Sequence, residues 1–227
     1  MKGHSKRYEA ARKLVEENRR YPVAEAVAIL RKFPGAKFDE SVTLAIRLGI
    51  DASKSDQLIR GAFSLPRGIG KTVRVLVFAE GEHAEAARQA GADFVGAQDL
   101  AEKITGGWTD FDVAIAHPSM MRFVGKLGKV LGPLGKMPTP KAGTVLEAVA
   151  QAVKEFKAGK IEFRTDAGGN VHALMGKRSF EPDALHANVE AFLEHVRGLR
   201  PPTAKGNFIL GASLASTMSP GIDLAVV

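Results

Sequence analysis

S-V-T-L-A-I-R-L (Ser41–Leu48) and V-R-V-L-V-F-A (Val73–Ala79) are two strand-like runs of opposite texture, and the fold turns on the difference between them. In the first, Val42, Leu44, Ile46 and Leu48 alternate with Ser41, Thr43, Ala45 and Arg47. Successive strand residues point to opposite faces, so this pattern predicts one buried and one wettable face, as in an antiparallel sheet. The second run is nearly continuous in apolar residues. It predicts a strand buried on both faces, as in a parallel sheet covered by helices.

Each texture extends into its neighbourhood. Before Ser41, a basic helix is expected from about Ser5 to Glu17 with Ser5 as its cap, and a second from Val23 to Lys32 opened by Pro22. Leu58–Leu65 reads as a weaker strand broken by Gly61. Around Val73–Ala79, helices are predicted near 82–90, 99–104, 120–127 and 144–157, alternating with strands near Phe94-Val95 and Phe111–Ala116. After Gly159 the first texture returns. Lys160–Arg164 reads as a strand, Asp166–Asn170 as a turn, and Val171–Met175 as its hairpin partner. A long amphipathic helix runs from Pro182 to Arg200, followed by final strands at Phe208–Ser213 and Ile222–Val227. The fold class is therefore α/β and α+β in two domains. Residues 1–66 and 160–227 form a discontinuous α+β domain with an antiparallel sheet, and residues 67–159 an inserted Rossmann-like parallel α/β domain. Short glycine-bearing crossings join the two and would permit a hinge.

Composition narrows the chemistry. Among 227 residues, 32 are Lys or Arg and 25 are Asp or Glu, a net charge of +7 that suits a polyanionic partner. A basic enzyme with an acidic small substrate fits the same balance. The excess is greatest in residues 1–66, with 13 basic and 8 acidic side chains. Cysteine is absent, which excludes disulfides, thiolate zinc sites and cysteine nucleophiles. The basic N-terminus lacks the apolar core of a signal peptide, and no window has the length of a membrane span, so a cytoplasmic protein is expected.

The densest cationic run is Gly125–Val145, with five Gly, three Pro and four Lys; no Asp or Glu occurs between Val113 and Leu146. Its prolines argue against a regular helix or a central strand. Backbone N–H groups beside Lys126, Lys129, Lys136 and Lys141 suit phosphate. An ordered connection with solvated lysines fits the pattern as well. Gly68-Ile69-Gly70-Lys71-Thr72 lacks the first glycine of a phosphate-binding loop and precedes its strand, so it reads as a turn. The six histidines have no metal-ligand spacing, and no catalytic constellation is found. No cofactor, no metal and no enzymatic activity are expected. An α/β enzyme acting on a phosphorylated small molecule remains the competing class.

The wettable sheet face offers a different chemistry. Lys37, Phe38 and Ser41 enter the first strand, and Ser213, Ser216, Thr217 and Met218 approach the last turn. Hydroxyls and an exposed apolar side chain in a shallow groove suit the sugars, 2′-hydroxyls and bases of RNA. Ordinary core packing is the alternative for Phe38 and Met218. Arg164, His172 and Ser219 complete the candidate set.

The segment L-G-P-L-G-K-M-P-T-P-K-A-G-T-V (Leu131–Val145) resembles the hallmark of the bacterial ribosomal L-one protein family. K-F-D-E-S-V (37–42), R-G-A-F-S-L-P-R-G-I-G-K (60–71), A-G-A-D-F-V-G (90–96), G-K-I-E-F-R (159–164) and S-T-M-S-P-G (216–221) fall in family order, so the resemblance covers essentially the whole chain. It implies a two-domain protein of the mobile stalk that binds large-subunit ribosomal RNA, assists release of deacylated tRNA from the exit site, and represses its own operon by binding its mRNA. It also implies a monomer when free, with no membrane partner. The implied RNA contacts are Lys37, Phe38, Ser41, Thr217 and Met218, with the four lysines of the insert as secondary contacts to RNA or tRNA. The family usually reads T-M-G-P where this chain has Ser219. The expectation is that the fold tolerates serine while RNA affinity falls.

Overall fold

The structure is a computed structural model and describes residues 4–226. The first three residues of the basic N-terminus, and Val227 of the expected last strand, lie outside the described residues. In chain order the helices and strands are α1 (Lys6–Arg12), α2 (Val23–Lys32), β1 (Ser41–Leu48), β2 (Arg60–Ser64), β3 (Val75–Phe78), α3 (Gly81–Gln89), β4 (Phe94–Gly96), α4 (Gln98–Thr105), β5 (Val113–Ala116), α5 (Met121–Val124), α6 (Gly128–Leu131), α7 (Val149–Ala158), β6 (Lys160–Arg164), β7 (Asn170–Lys177), α8 (Pro182–Gly198), β8 (Ile209–Ser216) and β9 (Ile222–Leu224). They form two compact units, Met1–Lys71 with Ile161–Val227, and Thr72–Lys160.

In the first unit, β1 lies inside a four-stranded sheet of order β7-β1-β8-β9. Both of its neighbours run antiparallel to it. Val42, Leu44, Ile46 and Leu48 are buried, while Thr43 and Arg47 face solvent. Complete burial of Leu44 and Ile46 stabilises the fold by about 1.5–3 kcal/mol each. Helices α2 and α8 pack on one another, and both pack on strands of this sheet. Between Val42 and Thr43 the pairing with β7 shifts by one residue. The shift is accommodated at Gly176, whose φ is +148° and where a Cβ would meet the Phe180 ring at 3.0 Å. Strands β2 and β6 make a separate two-stranded sheet. Phe163 from β6 meets Phe192 from α8 edge-on, with centroids 5.1 Å apart.

The second unit is a three-stranded parallel sheet of order β4-β3-β5. Its central strand β3 is buried at every residue, as its unbroken apolar sequence requires. Leu76, Phe78, Ile104, Phe111, Val124 and Leu131 belong to one core cluster.

Four local expectations are corrected. Helix α1 stops at Arg12 rather than near Glu17. Ser5 caps it by accepting from the Tyr8 N–H, but the chain then leaves the helix so that the Glu16 N–H reaches the Tyr21 hydroxyl at 2.9 Å, and Asn18 adopts φ +64°. The expected hairpin between 160–164 and 171–175 is reduced to the single bridge Thr165–Val171, because β6 pairs with β2 and β7 with β1. The helical stretch expected near 120–127 does not stop there but continues through Gly128–Leu131, inside the run whose prolines argued against a helix, as a 3₁₀ turn followed by α6. The prolines begin only at Pro133, and buried Leu127 and Leu131 hold the preceding turns against the core. Residues 144–148 are not helical. Val145 bridges to Ala116 in parallel, and the Thr144 hydroxyl accepts from the Thr139 N–H, so this stretch is extended and α7 begins at Val149.

One buried amide ties the first unit together. The Asn188 Oδ1 accepts from the Arg67 N–H, and its Nδ2 donates to the carbonyls of Gly68 and Met175. Asn188→Leu leaves these backbone groups without that partner inside the protein. It should cost roughly 3 kcal/mol by urea denaturation; a loss below about 1 kcal/mol would mean that other groups replace the amide.

Candidate nucleic-acid interface

Antiparallel pairing of β1 and β8 sets Val42 opposite Ser216. The loop entering β1 and the turn leaving β8 are therefore neighbours. Phe38, in the first, is 55% exposed, and Met218, in the second, is 52% exposed. Core packing is thus ruled out for both side chains. Lys37 and Thr217 are exposed beside them.

What holds the two loops together is Glu40, only 2% exposed. Its carboxylate accepts from the Ala36 N–H at 2.8 Å, from the Ser216 hydroxyl, and at 3.4 Å from the Met218 N–H. Arg178 approaches it at 3.5 Å, donates to the Arg31 carbonyl at 3.2 Å and also reaches the Phe33 carbonyl. Burial pushes the Glu40 carboxyl up. The hydrogen bonds from Ser216, Ala36 and Met218, with the charge of Arg178, outweigh this and leave its pKa below the ordinary carboxylate value. A second tie runs alongside. The Thr217 hydroxyl accepts from the Ser41 N–H at 3.0 Å and donates to the Ser41 carbonyl at 3.3 Å. Lys177 donates to the Ser41 hydroxyl at 3.0 Å.

The candidate residues thus divide by where they sit. Lys37, Phe38, Ser41, Thr217 and Met218 come together at one end of the sheet. Ser216 is buried, and its hydroxyl is committed to Glu40. The Ser219 hydroxyl accepts from the Ser216 N–H at 2.9 Å and donates to the Pro220 carbonyl at 3.0 Å, so it closes the turn from within. Its φ is not positive, as the following proline favours. Ser213 and His172 lie further along the open face, both opposite Ala45. Arg164 is exposed at the end of β6, in the other sheet.

In the second unit Lys126, Lys129 and Lys141 are exposed. Lys136 differs. It is half-buried, donates to the carbonyls of Thr109 at 2.9 Å and Phe111 at 2.6 Å, and sits 5.0 Å from the centre of the Phe111 ring. Its ammonium anchors the glycine-proline turn to the core and has little left for a ligand. Among the described residues, no group of three or more His, Cys, Asp or Glu is placed to hold a metal ion, and no helix is long and apolar enough to cross a membrane.

Sequence reasoning missed Glu40, Lys177 and Arg178. A signal for Glu40 was present: the buried alternation at 42, 44, 46 and 48, carried back one step, puts residue 40 on the inner face. A carboxylate there must be hydrogen-bonded.

A two-unit α/β architecture with this arrangement of motifs defines the class, and comparison with known proteins identifies it. Residues 30–220 match the ribosomal protein L1p/L10e family. The chain is 57% identical over 225 residues to the large ribosomal subunit protein uL1 of Fervidobacterium nodosum, covering 99% of this chain and 96% of that protein. It is 54% identical to that of Kosmotoga olearia, covering 99% and 97%, and 54% identical to that of Azoarcus sp., covering 96% and 94%. The chain belongs to the ribosomal protein L1p/L10e family.

The Glu40 geometry predicts an acid response. A carboxyl whose folded pKa lies below its unfolded value contributes stability above the unfolded pKa and loses it as pH falls through the folded one. Glu40→Gln should lower the melting temperature at pH 7, and its gap to the parent should narrow as pH is taken to 3. A constant gap would show that the charge of Glu40 does not stabilise the hub.

Proposed function

We propose that this chain is a structural constituent of the large ribosomal subunit, working in the cytoplasm bound to the ribosome, that recognises ribosomal RNA of the mobile stalk through the end of its antiparallel sheet. The observation that carries this reading is the pair Phe38 and Met218. Two large apolar side chains are held out in solvent by a buried hydrogen-bonded hub, beside Lys37 and the hydroxyl of Thr217. Such a surface suits a shallow RNA groove, where sugars and bases accept apolar contact and 2′-hydroxyls take hydrogen bonds. Family membership supports the same assignment.

The same surface binds a similar fold of the chain's own messenger RNA and so represses translation of its operon. On the ribosome the protein assists release of deacylated tRNA from the exit site, with Lys126, Lys129 and Lys141 as cationic contacts of the insert. It works as a monomer, without cofactor and without catalysis.

Filter binding with a transcript of the large-subunit stalk RNA tests the reading. Phe38→Ala and Met218→Ala should each weaken binding about tenfold or more, with unfolding free energy changed by no more than about 0.5 kcal/mol, since both side chains are exposed. Undiminished affinity in both variants would remove this patch from the interface. Thr217 is a poorer probe, because its hydroxyl also closes β1. Ser219→Gly removes the hydroxyl that caps the turn. It should cost about 1 kcal/mol in stability while tightening RNA binding, because the serine side chain takes space that glycine leaves open. Equal affinities for serine and glycine would show that the side chain does not obstruct RNA. Co-sedimentation with large subunits separates the ribosomal role from that of a free RNA regulator.

A further inference from the structure

On the open face of the four-stranded sheet, at the end far from Phe38 and Met218, a concavity of about 430 Å³ is lined by Arg20, Arg47, Asn170, His172, Ser213 and Asp223, among others. The strand register brings them together. Ala45 lies opposite His172 on one side and Ser213 on the other, Ser213 in turn pairs with Asp223, and Arg47 pairs with Asn170 and Gly211. Arg20 enters from the edge, because the next residue, Tyr21, bridges to Leu224 of β9.

Two properties make this more than a dent in a sheet. First, Arg20 and Arg47 line the same concavity, and their guanidiniums, like those of Arg31, Arg67, Arg88 and Arg164 elsewhere on the surface, have no hydrogen-bond or ion-pair partner among the described residues. Ser213 adds a hydroxyl, while Asn170 and His172 are turned to Asp166: the Asn170 Nδ2 donates to its carboxylate at 3.1 Å and the His172 Nε2 lies 3.6 Å from it, so this carboxylate also stands beside the concavity. Second, the concavity continues the Phe38–Met218 patch along β1. Ser41, Thr43, Ala45 and Arg47 share one face, and six residues of strand span about 20 Å. Small residues line the middle of that path, Ala45 and Ala215 among them. A polynucleotide backbone can therefore lie close to the sheet all the way.

We propose that this concavity is a phosphate subsite, in which Arg47 and Arg20 take a backbone phosphate of the same RNA, about 20 Å from the contact at Phe38 and Met218. The inference rests on the RNA-binding reading above and extends it from one end of the sheet to its whole open face. Arginine is suited to the task, since its planar fork presents paired donors to phosphate oxygens. Asp223 works against it. Its carboxylate faces the same concavity and opposes an anion there, which gives the proposal a second, opposite-signed consequence.

The test is RNA affinity measured against salt for the full chain, with a transcript of the large-subunit stalk RNA. Arg47→Gln should weaken binding about tenfold, equally for transcripts of altered base sequence, and make the log–log salt slope shallower by about 1. Arg20→Gln should act in the same direction. Asp223→Asn should bind more tightly than the parent, and this outcome cannot be produced by damage to the fold. Unchanged affinity and slope in all three variants, with Phe38→Ala still weakened, would overturn the subsite and leave the RNA reading standing. Failure of the parent chain to bind the transcript at all would sink that reading itself. Displacement of RNA by poly-glutamate in the parent but not in Arg47→Gln would assign the concavity to an acidic protein segment, and would equally overturn the proposal.

Discussion

Strand β1 must find both of its neighbours in the last third of the chain. Its partners β7 and β8 begin at Asn170 and Ile209, and the whole parallel-sheet unit intervenes between them and β1 in sequence. Closing so long a loop carries an entropic cost that grows only slowly with length, so the insertion is tolerated thermodynamically. The register is then narrowly set. A slip by one residue would turn Val42, Leu44 and Ile46 out to water and bring Thr43 and Arg47 inside. That pairing also creates the surface: Val42 opposite Ser216 places the loop before β1 beside the turn after β8.

Glu40 converts this neighbourhood into a fixed geometry. A buried carboxylate is costly unless each oxygen is occupied, and here backbone N–H groups, a hydroxyl and a guanidinium occupy them. The exposed side chains are thus mounted on a rigid base. A preordered surface loses less entropy when a partner binds than a mobile loop would. The division of labour is sharp within a few residues. Phe38 and Met218 face solvent, while Glu40 and Ser216 face inward and set their positions.

The parts of the fold legible in the sequence were those governed by periodicity. The bounds of β1 and α2 follow from two-fold and 3.6-fold apolar spacing, and the buried β3 from its unbroken apolar run. Pairing was less legible. Lys160–Arg164 and Val171–Met175 look like a hairpin because a turn separates them, yet β2 and β1 compete successfully for the two strands. Periodicity says which face of a strand is buried and nothing about which strand lies next to it. The lysine run misled for a similar reason. Lys136 shares its glycine-lysine context with Lys126 and Lys129, but only its ammonium reaches two backbone carbonyls of the core. The exposure of Phe38 and Met218 was not legible from residue type, which favours burial. It depends on a hub assembled from residues 36, 40, 178, 216 and 218.

The discontinuous sheet also imposes an order on synthesis. The unit from Thr72 to Lys160 has all its strands on the chain once residue 160 has been made, whereas the four-stranded sheet waits for Ile222–Leu224. At ordinary elongation rates that interval is roughly 3–13 s. Until Ser216 has been made β1 lacks its full pairing with β8, with its apolar row of Val42, Leu44, Ile46 and Leu48 still seeking cover. The insert therefore folds on a nascent chain whose first sheet is incomplete. The surface that joins residue 38 to residue 218 is among the last parts of the molecule to exist, so a chain released early carries a finished insert and no assembled patch.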